Sequence, residues 1–275
     1  MKATKSFMGA VSATGASVHR HQPPPAVAEL PLPDTGIDLR SAIPEYENNM
    51  IRQALDRLGG RLERAGVRVL RSHPRLPDLA DVARAYARLL MSFTAAFWPQ
   101  PVFEQSRAAA AAIPADDRSL GAELARGVGL SHRDWVAADN ARAMHQQQFH
   151  SLFEQVDVVL CPAMAVTAFR HDHSEPQHLR RLDVDGQPAP YSSTGLVWAS
   201  AATSTGLPAA VVPIDRGDSA LPIGVQIIAN HYNEAAALRV ARELDNLARG
   251  AVLARCLRRS EERRVGKECL RLCRS

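Results

Sequence analysis

From residue 47 the chain carries apolar side chains at helical spacing: Met50, Ile51, Ala54, Leu55, Leu58 and Leu62 recur every third or fourth position. Gly66 follows as a stop, and Val67–Leu70 then reads as a short strand. Pro77-Asp78 opens a second helix over about Leu79–Phe97, closed by Trp98-Pro99. A third is expected from about Pro101 through an alanine cluster to Ile113, ended by Pro114. Ser131, with Asp134 three residues on, has the form of a helix N-cap, and the helix it opens runs to Phe153. That helix feeds into Val156-Asp157-Val158-Val159-Leu160-Cys161-Pro162, a short apolar run of the kind found in strands buried on both faces. Further strands are expected at Ala209–Ile214 and Ile223–Ala229, a short helix over Gly195–Thr203, and a last helix over Glu234–Leu247. The order helix, strand, helix, strand, strand, helix predicts an α/β fold, a mixed sheet flanked by helices. The aromatic residues Phe97, Trp135, Phe149 and Trp198 are expected in its core.

The two ends differ from this middle. Residues 1–36 hold small residues, then three consecutive prolines and two more, and read as a disordered or non-native leader. From residue 251 the helical pattern breaks and arginine dominates. Eight basic residues from Arg255 onward face three acidic ones, a surplus of five; with +4 on the whole chain, residues 1–254 carry −1. A folded middle of that charge gives no bulk reason to bind nucleic acid. The run Arg259–Cys269 resembles the translation of a short-read sequencing adapter, so 251–275 is expected to be an artefactual or disordered tail. Three of the four cysteines crowd that tail and do not form a disulfide framework, which suits a reducing cytoplasm. No apolar run of 18 residues and no signal pattern occurs, so neither membrane insertion nor export is expected.

Candidate chemistry is sparse. His171-Asp172-His173 are metal-ligand residue types, with His150 or His178 as an imaginable third ligand, but a loop histidine cluster is the simpler reading. Ser192-Ser193-Thr194-Gly195 echoes a nucleophile loop, yet only one glycine is near, and turn or N-cap serines are expected instead. Cys161 sits in an apolar strand and is expected to behave as a small hydrophobe. With no phosphate loop, dinucleotide glycine pattern or Cys-x-x-Cys pair, no cofactor is expected. The lysines are Lys2, Lys5 and Lys267, so the whole middle lacks this base.

The stretches Thr205-Gly206-Leu207-Pro208-Ala209, Val212-Pro213-Ile214 and Leu221-Pro222-Ile223-Gly224-Val225-Gln226-Ile227-Ile228, after Asp157–Pro162, Ala168–His173 and Pro190-Tyr191, resemble the amidase-signature family of hydrolases over about Ile37–Leu247. The resemblance implies a partial amidase-signature fold over 37–250, lacking the N-terminal catalytic core. It also implies an ancestral reaction in which a Lys-Ser-Ser triad hydrolyses a C–N amide bond through an acyl-enzyme. Neither the lysine nor its glycine-rich serine loop is present here, so the expectation is an amidase fragment that is inactive alone. The intact parent would take a small-molecule amide substrate, and homodimerisation is left open. Relatives that handle glutamine carry an acidic residue where Leu196 stands, which implies a less polar amide or ester. Tyr191, Leu196 and Trp198 are the pocket candidates, with core packing an equal reading. The alternative from another class is a non-catalytic binding module on an amidase-derived scaffold.

Overall fold

The computed structural model describes residues 48–174, 179–216 and 221–248, together with the backbone of a strand at 35–38. Its elements in chain order are β1 (Thr35–Asp38), α1 (Asn49–Arg64), β2 (Arg68–Leu70), α2 (Leu79–Ala95), α3 (Gln100–Ala111), α4 (Leu120–Gly127), α5 (His132–Leu152), β3 (Val158–Pro162), β4 (Arg181–Val184), β5 (Gln187–Pro190), α6 (Tyr191–Leu196), α7 (Ala199–Thr205), β6 (Ala209–Arg216), β7 (Pro222–Ala229) and α8 (Glu234–Ala248). The basic tail and all of the leader before Thr35 lie outside the described residues; β1 straddles the boundary expected at residue 36.

Five strands form one mixed sheet in the order β2-β1-β3-β7-β6. β1 runs parallel to β2 and β3, whereas β7 is antiparallel to β3 and β6. Strand β3 is buried throughout, as its unbroken apolar run requires. Its alternate side chains enter opposite layers: Val158 and Leu160 meet α1 and α8, while Val159 and Cys161 meet the layer built by α2, α5 and α7. The first layer comes from the apolar stripe of α1 (Ile51, Leu55, Leu58, Leu62) and that of α8 (Val240, Leu244). Phe149, Leu152, Trp198, Ala201 and Leu79 fill the second. Helix α3 buries none of its residues and lies outside, against α4.

Local signals place the helix starts. Asn48 and Asp78 accept hydrogen bonds from backbone N–H groups in the first turns of α1 and α2, and the Ser131 hydroxyl accepts from Asp134 N at 3.1 Å. Gly206 ends α7 in the left-handed region, φ 69°, where a side chain would be strained. At Gly224 an added Cβ would lie 3.3 Å from Ala163 Cβ and from Val211 Cγ1, so these two side chains pack directly onto the β7 backbone.

The structure corrects several expectations. The helix expected over Gly195–Thr203 is two helices, because Pro190 caps a turn that begins at Tyr191 and the chain breaks at Val197-Trp198. Ser192, Ser193 and Thr194 are therefore helical, not turn serines; the Ser193 hydroxyl donates to the Pro190 carbonyl at 3.2 Å. Phe97 and Trp135 are not core: they are 75% and 40% exposed, Phe97 packing edge-on against Phe93 on the outside of α2. Helix α4 escapes a periodicity reading because its inward face carries a charge, Glu123, among Leu120 and Ala122. The β4–β5 hairpin escapes because its strands have four residues each, although its Asp185-Gly186 link is a strong turn signal.

Candidate functional site

Helices α6 and α7 lie over the sheet where β3 ends and β7 begins. Gln226, on β7, turns its side chain into this layer, and its amide Nε2 donates to Cys161 Sγ and to the Trp198 carbonyl, each at 3.1 Å. A buried amide would be costly unpaired, so this pair of bonds fixes the α6–α7 break above the sheet. Cys161 is fully buried as expected, but it also accepts this hydrogen bond. The segment leaving β3 crosses beside α6: Met164 Cε is the nearest neighbour of a Cβ placed on Gly195, and Phe169 meets Tyr191 edge-on with ring centroids 5.9 Å apart.

Tyr191 is half-buried at the first position of α6, and Leu196 half-buried at its last. Five residues of helix turn by about 140°, so the two do not share a face. Trp198 is 1% exposed and belongs to the core cluster with Phe149 and Val159. Between them Thr194 is fully buried, its hydroxyl without a hydrogen-bond partner.

Among the described residues, neither Ser192 nor Ser193 is hydrogen-bonded to an imidazole, carboxylate or amine. His171 and His173 are exposed, with ring centroids 5.9 Å apart, and His150 is exposed on α5; His178 lies outside the described residues. No three His, Cys, Asp or Glu side chains among the described residues converge as metal ligands. Asp172, beside these histidines, is held below the usual carboxylate range by the side-chain and backbone hydrogen bonds of Ser174.

Two electrostatic features were not legible in the sequence. Glu123, on α4 next to α6, is fully buried and shared by Arg88, Arg118 at 3.2 Å and Arg126 at 3.3 Å. These arginines come from α2, the α3–α4 link and α4, with no spacing that marks them as a set. His145, on the inner side of α5, has an unpartnered Nδ1. Burial pushes its pKa down, against the opposing pull of Asp81 on α2 and of Asp78 at its N-cap.

Among the described residues, no helix is long and apolar enough to cross a membrane. The features together define an α/β protein in which a short broken helix caps a mixed sheet. The model of the Amidase family matches residues 39–238, and the chain belongs to that family. A glutamyl-tRNA(Gln) amidotransferase subunit from Leptospira interrogans is 29% identical over 110 residues, 40% of this chain and 20% of that protein. A fatty acid amide hydrolase from Medicago truncatula is 34% identical over 114 residues, 42% of this chain and 18% of its own length. A solved amidase structure superposes with a TM-score of 0.58 at 18% identity, covering 79% of this chain and 47% of that one, which supports the fold. The chain thus spans less than half the length of these relatives.

Proposed function

We propose that this chain is the C-terminal part of an amidase-type hydrolase, building the sheet and one wall of the substrate pocket while nucleophile and base lie outside it. Alone it does not hydrolyse amides. The observation that carries this reading is the absence of lysine between residues 6 and 266. A serine hydroxyl is a weak nucleophile until an adjacent base takes its proton, and in the Lys-Ser-Ser scheme that base is a neutral lysine. The best serine candidates support the same conclusion: Ser193 spends its proton on a backbone carbonyl within a helix, where glycine-rich access to an oxyanion is lacking.

The α6 region is the pocket wall in this reading. Tyr191 and Leu196 offer half-buried apolar surface, and Trp198 supports them from the core. Such a wall suits a small amide with a weakly polar acyl group, encountered in the cytoplasm. The end strands β2 and β6 of the described sheet are where further strands of the parent would pair, and left uncovered they are an aggregation hazard.

The test is an assay of the purified chain with 4-nitroacetanilide, alongside Ser192→Ala and Ser193→Ala. No turnover above buffer is expected from any of the three. Saturable anilide hydrolysis that either substitution abolishes would overturn the proposal.

A further inference from the structure

Glu123 gathers three guanidinium groups on one buried carboxylate, and they are used up to different degrees. Arg126 donates to the carbonyls of Pro114 and Asp117, each at 2.6 Å, as well as to Glu123. Arg88 bonds Glu123 through Nε alone, so among the described residues its Nη1–Nη2 edge has no partner. Neither nitrogen of that edge is buried, and the side chain is 33% exposed.

Arg88 lines a cavity of about 360 Å³, open to solvent, together with Arg107 on α3, Arg126 on α4 and Asp134 on α5. The Arg107 stem lies across the α4–α5 link: a Cβ on Gly129 would come within 2.7 Å of its Cγ, so the glycine leaves the arginine its path. Among the described residues its guanidinium makes no ion pair, and its ring contact is with Phe103, 6.0 Å from the centroid. Charge around the cavity does not balance. Arg88, Arg107, Arg118 and Arg126 face Glu123, Asp134 and Asp117, which leaves one positive charge uncompensated. Asp134 is already engaged by the Ser131 hydroxyl at 2.6 Å. The rest of the wall, Ala110, Ala111 and Leu130, is apolar. Sites for small molecules begin at about 300 Å³, so the occupant is a small one.

We infer that this cavity binds a small aliphatic carboxylate, its oxygens accepting from the free edge of Arg88 and from Arg107, its chain lying on Ala110, Ala111 and Leu130. A guanidinium edge presents two parallel N–H groups at the spacing of carboxylate oxygens, a match that a point charge lacks. A monoanion also equals the charge surplus, which a phosphate dianion exceeds. None of Tyr191, Leu196 or Trp198 lines this cavity, so the inference stands apart from the amide-hydrolysis reading.

Butanoate is the probe, titrated into the ¹⁵N-labelled full chain while the Arg88 Nε–H resonance is followed. Its bond to the buried Glu123 slows proton exchange, and Arg88→Lys assigns the signal. A saturable shift is expected. Arg107→Gln removes an exposed side chain with no ion pair to lose, and should weaken the apparent affinity about tenfold without lowering the melting temperature. It keeps the test decisive should Arg88→Lys fold poorly, because a change in affinity does not need the assignment. Asp134→Asn takes the repelling charge off the wall and should tighten binding about threefold. Acetate should bind several-fold more weakly than butanoate, since it leaves the apolar wall uncovered. A shift that does not saturate, or that Arg107→Gln leaves unchanged, overturns the inference. So does an equal response to acetate, or to phosphate or chloride at the same ionic strength, because the anion is then held by net charge alone, at the arginine-rich tail or elsewhere.

Discussion

The two helical layers on either side of the sheet are built by different rules. Under α1 and α8 the packing is aliphatic, and among the described residues no fully buried polar side chain belongs to either helix. The opposite layer holds the buried polar groups: Glu123 on α4, His145 on α5, Ser193, Thr194, Ser200, Ser204 and Thr205 on α6 and α7, and Gln226 projecting from β7. The aliphatic layer is scaffold. The polar one gives up some packing to groups that need partners, and it is the layer that holds α6 and α7. A protein tolerates that cost where it needs directional contacts.

The contrast can be broken most forcefully from the scaffold side. Leu244→Ala empties a fully buried position and should cost about 3 kcal/mol in a urea melt, with the slope of the transition unchanged. On the other side, Glu123→Gln leaves three arginines without their shared carboxylate. Because Arg118 and Arg88 are partly solvated, a loss of about 2 kcal/mol is expected rather than that of a fully buried pair. A Glu123→Gln loss that exceeded the Leu244→Ala loss would mean that charge pairing, not packing, dominates the molecule. Gln226→Leu should cost only about 1 kcal/mol, because its acceptors are a thiol and one carbonyl, and shape is nearly kept.

The smallest expected effect is one of pH. His145 has its pKa lowered in the folded state, so the unfolded chain binds the proton more readily. Its contribution is present above the ordinary imidazole pKa of about 6.5 and is lost as pH falls through that value toward the folded one. The melting temperature should fall on acidification from pH 7, and His145→Gln should flatten that slope. Asp78 and Asp81, the carboxylates that act on His145, make the slope shallower. An unchanged slope would place the acid sensitivity elsewhere.

The sequence was readable where one physical rule acted alone. The stripe of α1, the doubly buried β3 and the Ser131 cap follow from periodicity, apolar runs and hydrogen-bonding chemistry, and each stands where expected. The short elements were lost because their apolar pattern is interrupted by a buried charge or by turn chemistry, as at Glu123 and at Asp185-Gly186. Family membership was legible in the Gly-Leu-Pro-Ala and Leu-Pro-Ile-Gly motifs. They carry it because they fix a helix end at Gly206 and tight side-chain packing against the backbone at Gly224. The partnerless hydroxyls of Thr194 and Ser204 could not be read in advance, since a missing hydrogen bond is a property of three-dimensional surroundings.

Both oxygens of the Asp185 carboxylate accept from the Asn49 amide N–H, at 2.8 and 3.1 Å, across 136 residues of chain. This tether joins the hairpin turn to the N-terminus of α1, where a negative charge is favoured. A contact across so long a stretch of chain carries a high closure cost, and both partners lie at the surface. The hairpin should therefore be a late-forming, early-opening unit. In hydrogen exchange the Asn49 amide should trade its proton well before the amides of β3, and Asp185→Asn should quicken it further while leaving the slowest exchangers unchanged.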